Sequence, residues 1–311
     1  MSGAPFADRV VLGAGIYEPM AEDLRRHFRF ARWPETTELE SEAEAIVVLK
    51  RKVNAAFLDN FPKVKLIAGT GAGYDYADLA ELRERGIQLC NAAGTKDQCG
   101  ADFTMGLLIG TVRRMSAADR HVQNGNWGKF QMPLTRRVSG RKIGIYGLGS
   151  IGTVLARRAL GFDMEVGYHN RKSRPEFPYR YFDDLLSMAR WCDYLVCACP
   201  LTPQTRHSVN AEVLKALGPE GTLINIARGG VVDQAALIEA LASGVIDSAG
   251  LDVIEGEPQV PPELLGKDNV LLAPHVAVIT KETQADTRRA VVENIETFFR
   301  TGVPSRLVDL G

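Results

Sequence analysis

The chain has 311 residues, 45% of them hydrophobic, enough for one large or two medium domains with real cores. Its 37 Lys and Arg against 38 Asp and Glu leave a net charge of −1, so neither nucleic acid nor an anionic membrane is an expected partner. No apolar run reaches the roughly 18 residues of a membrane span, and the first nine residues lack a charged stretch leading into an apolar one, so no secretory signal is expected.

The first strand is predicted at Val10–Leu12, followed by a helix over Met20–Phe30 and a second strand at Ile46–Leu49. A short helix closes at Phe57–Phe61 and a third strand runs over Lys65–Ala68. This βαβα alternation predicts a parallel sheet covered on both faces. The third strand runs into Gly69-Thr-Gly-Ala-Gly-Tyr-Asp75. A glycine-rich loop at the carboxyl end of a parallel strand is either a tight turn or a nest of N–H groups for a small carboxylate.

A helix over Leu79–Arg85 stops at Gly86, and Ile87–Cys90 is a short strand. Ala101–Met115 reads as a long apolar helix continuing past Arg120, a spine crossing from the first domain into the second. Asn124–Gly140 is polar and aperiodic and leaves Trp127 and Phe130 outside any apolar face, a pattern that suits a partner subunit or a site mouth.

Lys142–Arg174 organises the rest. Ile143–Tyr146 is a strand, and Gly147, Gly149 and Gly152 follow it in the spacing G-x-G-x-x-G, with a helical run behind them. In that context the first glycine serves the tight turn, the second the approach of a pyrophosphate, and the third the packing of helix on strand. Free N–H groups at the helix start would hold the phosphates. After the next strand, Val166–Tyr168, an NAD site expects Asp or Glu on the ribose. Here stand His169 and Asn170, then Arg171, Lys172 and Arg174. Nothing repels a 2′-phosphate and three cations are placed to pair with one, so NADP(H) is the expected cofactor and NAD(H) the alternative.

Beyond the basic loop, Phe182–Met188 is predicted as a helix, Tyr194–Cys199 as a strand and Leu214–Leu217 as a short helix. Strands follow at Thr222–Ile226, Ser248–Val253 and Val270–Ala273, helices at Gln234–Ala242 and Glu282–Arg300. The five cysteines, an odd number in a long chain, point to reduced thiols and a cytoplasmic protein. Cys197 and Cys199 share one strand face and read as small buried hydrophobes rather than metal ligands.

Arg228, Glu257 and His275 fall at the carboxyl ends of three successive strands. Arg forks two donors onto a carboxylate or carbonyl oxygen. His hands a proton to a nascent alkoxide near neutral pH, and a nearby Glu fixes its tautomer and steadies the imidazolium. The set suits hydride transfer from a nicotinamide to a 2-oxo acid. His207 reads as a surface histidine, and His27, His121 and His169 have no carboxylate at motif spacing.

These motifs together resemble the D-isomer-specific 2-hydroxyacid dehydrogenases along nearly the whole chain. The matching stretches are Gly71–Asp75, Gly147–Gly152, Pro200–Thr205, Ile224–Gly229, Gly250–Val253 with Glu257-Pro258, and Pro274-His275. Within the family, Ala216–Pro219, Glu255–Pro262 and Asn170-Arg171 look most like the NADPH-preferring glyoxylate/hydroxypyruvate reductases. The resemblance implies an α/β protein of two doubly wound parallel-sheet domains, a flavodoxin-like substrate domain (1–100 with 283–311) and a Rossmann nucleotide domain (101–282). It implies Arg228 on the substrate carboxylate and carbonyl, His275 as acid/base, Glu257 orienting it, and the amides of Ala72 and Gly73 on the carboxylate. It implies a cofactor site of the Gly147, Gly149 and Gly152 loop with Ser150 and Ile151, then Asn170, Arg171, Lys172, Arg174, Pro200, Thr205, Ala227, His275, and Asp252 near the carboxamide. No metal is expected. A homodimer through the nucleotide domains, with residues near Trp127, is also implied.

One departure stands out. The family's Gly and Ser or Thr after Pro-His are here Ala277 and Val278, which leans the substrate towards a bulkier or more apolar acid, phenylpyruvate-like or sugar-derived. A reading from another class is a non-catalytic NAD(P)-sensing protein on the same fold, which the intact Arg228, Glu257 and His275 argue against. A formate- or phosphite-oxidising enzyme is a third, and the extended N-terminus expected of the former is lacking.

Overall fold

The structure, a computed structural model, describes residues 5–49, 51–129 and 132–310. Phe130 therefore lies outside the described residues. The chain divides into two compact units, residues 1–96 with 280–311, and residues 97–279.

The first unit holds a five-stranded parallel sheet of β1 (Phe6–Ala14), β2 (Phe28–Trp33), β3 (Ala45–Val48), β4 (Leu66–Gly69) and β5 (Gln88–Cys90), in the order β2-β1-β3-β4-β5. That order is the flavodoxin-like one. The strands are almost continuously apolar because both faces are covered. Ile46, Val48 and Ile67 enter one core with Phe57, Phe61 and Leu82, whereas Ala45, Val47, Leu66 and Ala68 enter the other with Met20, Leu24 and Ile295. The last helix, Lys281–Thr301, therefore packs in this unit, with Thr280 capping its first turn. β2 occupies residues that helical periodicity assigns to the end of the preceding helix, which stops at His27.

The second unit holds seven parallel strands, β6 (Lys142–Tyr146), β7 (Glu165–His169), β8 (Arg180–Phe182), β9 (Tyr194–Cys197), β10 (Thr222–Asn225), β11 (Ser248–Leu251) and β12 (Val270–Leu272). Their order, β12-β11-β10-β9-β6-β7-β8, is the Rossmann order extended by one strand. The chain leaves in opposite directions from β6 and β9, so the topological switch lies between them. Residues Tyr146, Cys197, Asn225, Leu251 and Leu272 stand in register across this sheet and mark its carboxyl edge.

The apolar helix before β6 starts at Asp97 and belongs to the second unit from its first residue, rather than crossing between domains. It ends at Val112. Arg114, at φ 52°, breaks it from a second helix at Met115–Gln123. β8 and the helix Leu185–Trp191 replace the single helix expected from Phe182.

Candidate active site

Three loops leaving the carboxyl edge of the second sheet carry Arg228, Glu257 and His275. After β10, Asn225 is buried and ties the turn down. Its Oδ1 accepts from Ala227 N at 3.0 Å and its Nδ2 donates to Arg228 O at 3.1 Å. Arg228 follows in extended conformation, with Nη1 donating to Ala227 O at 2.8 Å. Gly229 must be glycine, since a Cβ there would stand 2.0 Å from the carbonyl of Ile254. The Arg228 loop and the loop after β11 are thus packed backbone on backbone.

Glu257 lies in that second loop. Its Oε1 accepts from Ile254 N at 3.2 Å, and its Oε2 stands 2.9 Å from His275 Nδ1. Both side chains keep access to solvent, at 38% and 45% exposure. His275 itself takes the left-handed conformation, φ 58°, three residues past the aligned end of β12. Asp252, 2% exposed, holds it there. Asp252 O accepts from His275 N at 2.8 Å, and its carboxylate accepts from Val276 N at 2.8 Å and Ala277 N at 3.0 Å. A buried carboxylate bonded to two amides is satisfied and rigid. Asp252 therefore orients the histidine loop, a duty that the nearby Gly250-Leu-Asp-Val motif does not announce. Ala277 is buried against this anchor, and Val278 after it offers no hydroxyl.

A second histidine–carboxylate pair braces the same loops. His207 Nε2 and Arg206 Nη2 both stand 2.9 Å from Glu255 Oε1, and Gln234 bonds both the N–H and C=O of Glu255. Residue spacing along the chain gave no sign of this pair. In the first unit His27 similarly meets Glu296, at 2.8 Å.

The glycine loop after β6 has three glycines in three different states. Gly147, at φ 107°, lies against Cys199, whose N would be 2.6 Å from a Cβ. A Cβ on Gly152 would strike Gly147 O at 2.3 Å. A Cβ on Gly149 would meet nothing within 4 Å. Open space at the second glycine, beside the first-turn amides of Ser150, Ile151 and Gly152, fits the passage of a pyrophosphate. The Ile151 side chain itself faces Gly100 on the neighbouring helix.

At the end of β7, His169 bonds Phe182 O through Nδ1 at 2.9 Å, and no carboxylate occupies its place or the next. Arg171 and Lys172 are exposed and form no ion pair with a described residue. Arg174 differs. It donates through Nη1 to Leu148 O and through Nε to Glu176, each at 2.8 Å. Asn170 Oδ1 accepts from Leu148 N at 2.7 Å. After β9, the Thr205 hydroxyl is used within its turn, donating to Pro200 O at 2.7 Å and accepting from Thr202 N at 2.8 Å. Ala227 is buried beside Arg228.

In the first unit, the loop after β4 is pinned through its carbonyls. Gly71 O accepts from Ala92 N at 2.9 Å and Ala72 O from Asn91 Nδ2 at 2.8 Å. With the carbonyls so used, the amides of Ala72 and Gly73 donate to no described acceptor, and a Cβ on Gly71 would lie 3.8 Å from Lys96 Nζ. Among the described residues no His, Cys, Asp or Glu cluster could hold a metal, and no helix is long and apolar enough to cross a membrane.

Residues 105–277 match the family model for the D-isomer specific 2-hydroxyacid dehydrogenase, NAD binding domain. A glyoxylate/hydroxypyruvate reductase of Arabidopsis thaliana, HPR3, is 42% identical over 83% of this chain and 81% of its own. The hydroxyphenylpyruvate reductase of Plectranthus scutellarioides is 38% identical over 90% and 92%. Among solved structures, the NADPH-dependent glyoxylate/hydroxypyruvate reductase SmGhrB of Sinorhizobium meliloti, in complex with NADP and malonate, superposes with a TM-score of 0.90 at 36% identity, covering 97% of both chains.

Proposed function

The chain belongs to the D-isomer-specific 2-hydroxyacid dehydrogenases, a family of oxidoreductases, and from that premise we propose that it reduces glyoxylate and hydroxypyruvate with NADPH. The observation that carries this reading is the 2.9 Å His275–Glu257 pair on the same sheet edge as Arg228 and the glycine loop. The glycine loop would hold a nicotinamide cofactor at that edge, which would supply the hydride for the 2-oxo carbon.

The residues do the remaining work. Arg228 binds the substrate carboxylate and carbonyl with its two-pronged guanidinium. Glu257 holds Nδ1 of His275 and leaves Nε2 facing outward to give its proton to the carbonyl oxygen as the alkoxide forms. The imidazole is then reprotonated from solvent, to which it is half exposed. Asp252 keeps it in place throughout.

The cofactor part of the proposal rests on Arg171 and Lys172. Exposed and without an ion pair to any described residue, they offer charge to a 2′-phosphate that an acidic residue at the same strand end would repel. Assembly as a homodimer through the nucleotide unit is supported by Trp127, Leu134 and Met115, exposed at 83%, 98% and 57%. A second reading keeps the chemistry and enlarges the substrate to an aryl 2-oxo acid. It is favoured by Val278, which stands where the family's Ser or Thr would carry a hydroxyl, and by the 38% identical hydroxyphenylpyruvate reductase.

Product analysis tests the main reading. Hydroxypyruvate and NADPH should yield D-glycerate. L-glycerate, or no product from either hydroxypyruvate or glyoxylate, would overturn it.

A further inference from the structure

The peptide groups on either side of Leu148 are held in place from outside the glycine loop. Leu148 is the residue between Gly147 and Gly149, and its side chain is fully buried in the core. Its N–H is accepted by Asn170 Oδ1 at 2.7 Å, and its C=O is bonded by Arg174 Nη1 at 2.8 Å. Both partners come from the basic loop after β7. Arg174 is fixed in turn. Its backbone N donates to the buried Tyr168 hydroxyl at 2.8 Å, its Nε donates to Glu176, and its guanidinium lies 4.6 Å from the Phe177 ring centre.

A peptide group is planar, so the C=O of Leu148 and the N–H of Gly149 point in opposite directions in one plane. A bond that pins Leu148 O on one side therefore aims Gly149 N–H at the other. That N–H donates to no described acceptor, and the space at Gly149 is open. Asn170 fixes the preceding plane, Gly147–Leu148, in the same way. Without these two bonds the glycines on either side would leave both planes free to rotate.

We infer that Asn170 and Arg174 are positioning residues that orient the Gly149 amide for the cofactor pyrophosphate, and that they are not ligands of a 2′-phosphate. This deepens the cofactor reading and rests on it. It divides the basic loop by task. Arg171 and Lys172 discriminate between the two nicotinamide cofactors, while Asn170 and Arg174 serve both alike, because NADH and NADPH share the pyrophosphate.

Fluorescence titration of NADPH and NADH on the full-length protein, without substrate, tests the division. Arg174→Ala should raise the Kd for both cofactors by the same factor, about tenfold, leaving their ratio unchanged. Asn170→Ala should do the same, and Arg174→Lys, which keeps a donor for Leu148 O, should recover part of the loss for both. Arg171→Ala should raise the NADPH Kd about tenfold or more and spare NADH. Thermal unfolding without cofactor identifies any variant that is merely misfolded, in which case Arg174→Lys and Asn170→Ala decide. A loss in Arg174→Ala confined to NADPH would make Arg174 a phosphate ligand and overturn the inference, as would unchanged affinity for both. If wild-type protein binds NADH as well as NADPH and Arg171→Ala changes neither, the cofactor reading fails, while the Arg174 result stays readable from NADH alone.

Discussion

Glu257 Oε2 lies 2.9 Å from His275 Nδ1, while Glu257 Oε1 is anchored on Ile254 N within its own loop. The carboxylate is thus fixed at one oxygen and orients the imidazole with the other. Nδ1 is committed to Glu257, so Nε2 is the nitrogen available for chemistry.

This arrangement predicts unequal losses. His275→Ala removes the proton donor and should lower kcat by about 10²–10⁴-fold, with NADPH affinity nearly unchanged. Glu257→Gln keeps the shape but offers an amide, and should lower kcat by a smaller factor, about tenfold to a hundredfold. Steady-state rates and cofactor titration on the same preparations check both. Full turnover in His275→Ala would remove it from the mechanism.

The glycine loop predicts a separation of stability from binding. Gly149→Ala adds a Cβ into open space, so the unfolding temperature should hold while cofactor affinity falls as the methyl meets the pyrophosphate. Gly152→Ala drives a Cβ towards Gly147 O, 2.3 Å away, and should lower stability by several kcal/mol. Thermal unfolding and cofactor titration on both variants check this. Equal unfolding temperatures would contradict the packing role of Gly152.

The cysteines predict slow chemistry. Burial pushes the thiols of Cys90, Cys192 and Cys199 up to about 12, and that of Cys197 well above its usual value. The thiolate is the reactive form, so these four should resist a disulfide reagent at mildly alkaline pH in the native state. Cys99, partly buried, is the exception. Denaturant should release all five. Rapid labelling of several thiols before unfolding would contradict the buried placement.

Much of the fold was readable because parallel strands covered on both faces are written as short apolar runs, such as Ala45–Val48 and Tyr194–Cys197. The positions of Arg228, Glu257 and His275 beyond strand ends were readable because each follows such a run. What escaped depended on contacts between distant residues. Phe28–Trp33 has a pattern compatible with the preceding helix, and pairing with β1 makes it a strand. β8 has three residues and is defined only by its neighbour β7. The helix break at Arg114 uses a left-handed arginine where sequence reasoning looks for glycine. In the site, Asp252 carries no outward mark of its hold on Val276 and Ala277, which lie 24 and 25 positions on. Arg174 reads by charge as a phosphate partner, and only the folded loop brings it to Leu148.

The central claim is NADPH-dependent reduction of a small 2-oxo acid. Initial rates with NADPH and with NADH against glyoxylate, hydroxypyruvate, pyruvate and phenylpyruvate test it most directly. The highest kcat/KM is expected for glyoxylate or hydroxypyruvate, with NADPH ahead of NADH by about tenfold or more. Equal or better rates with NADH, or turnover of phenylpyruvate alone, would contradict it.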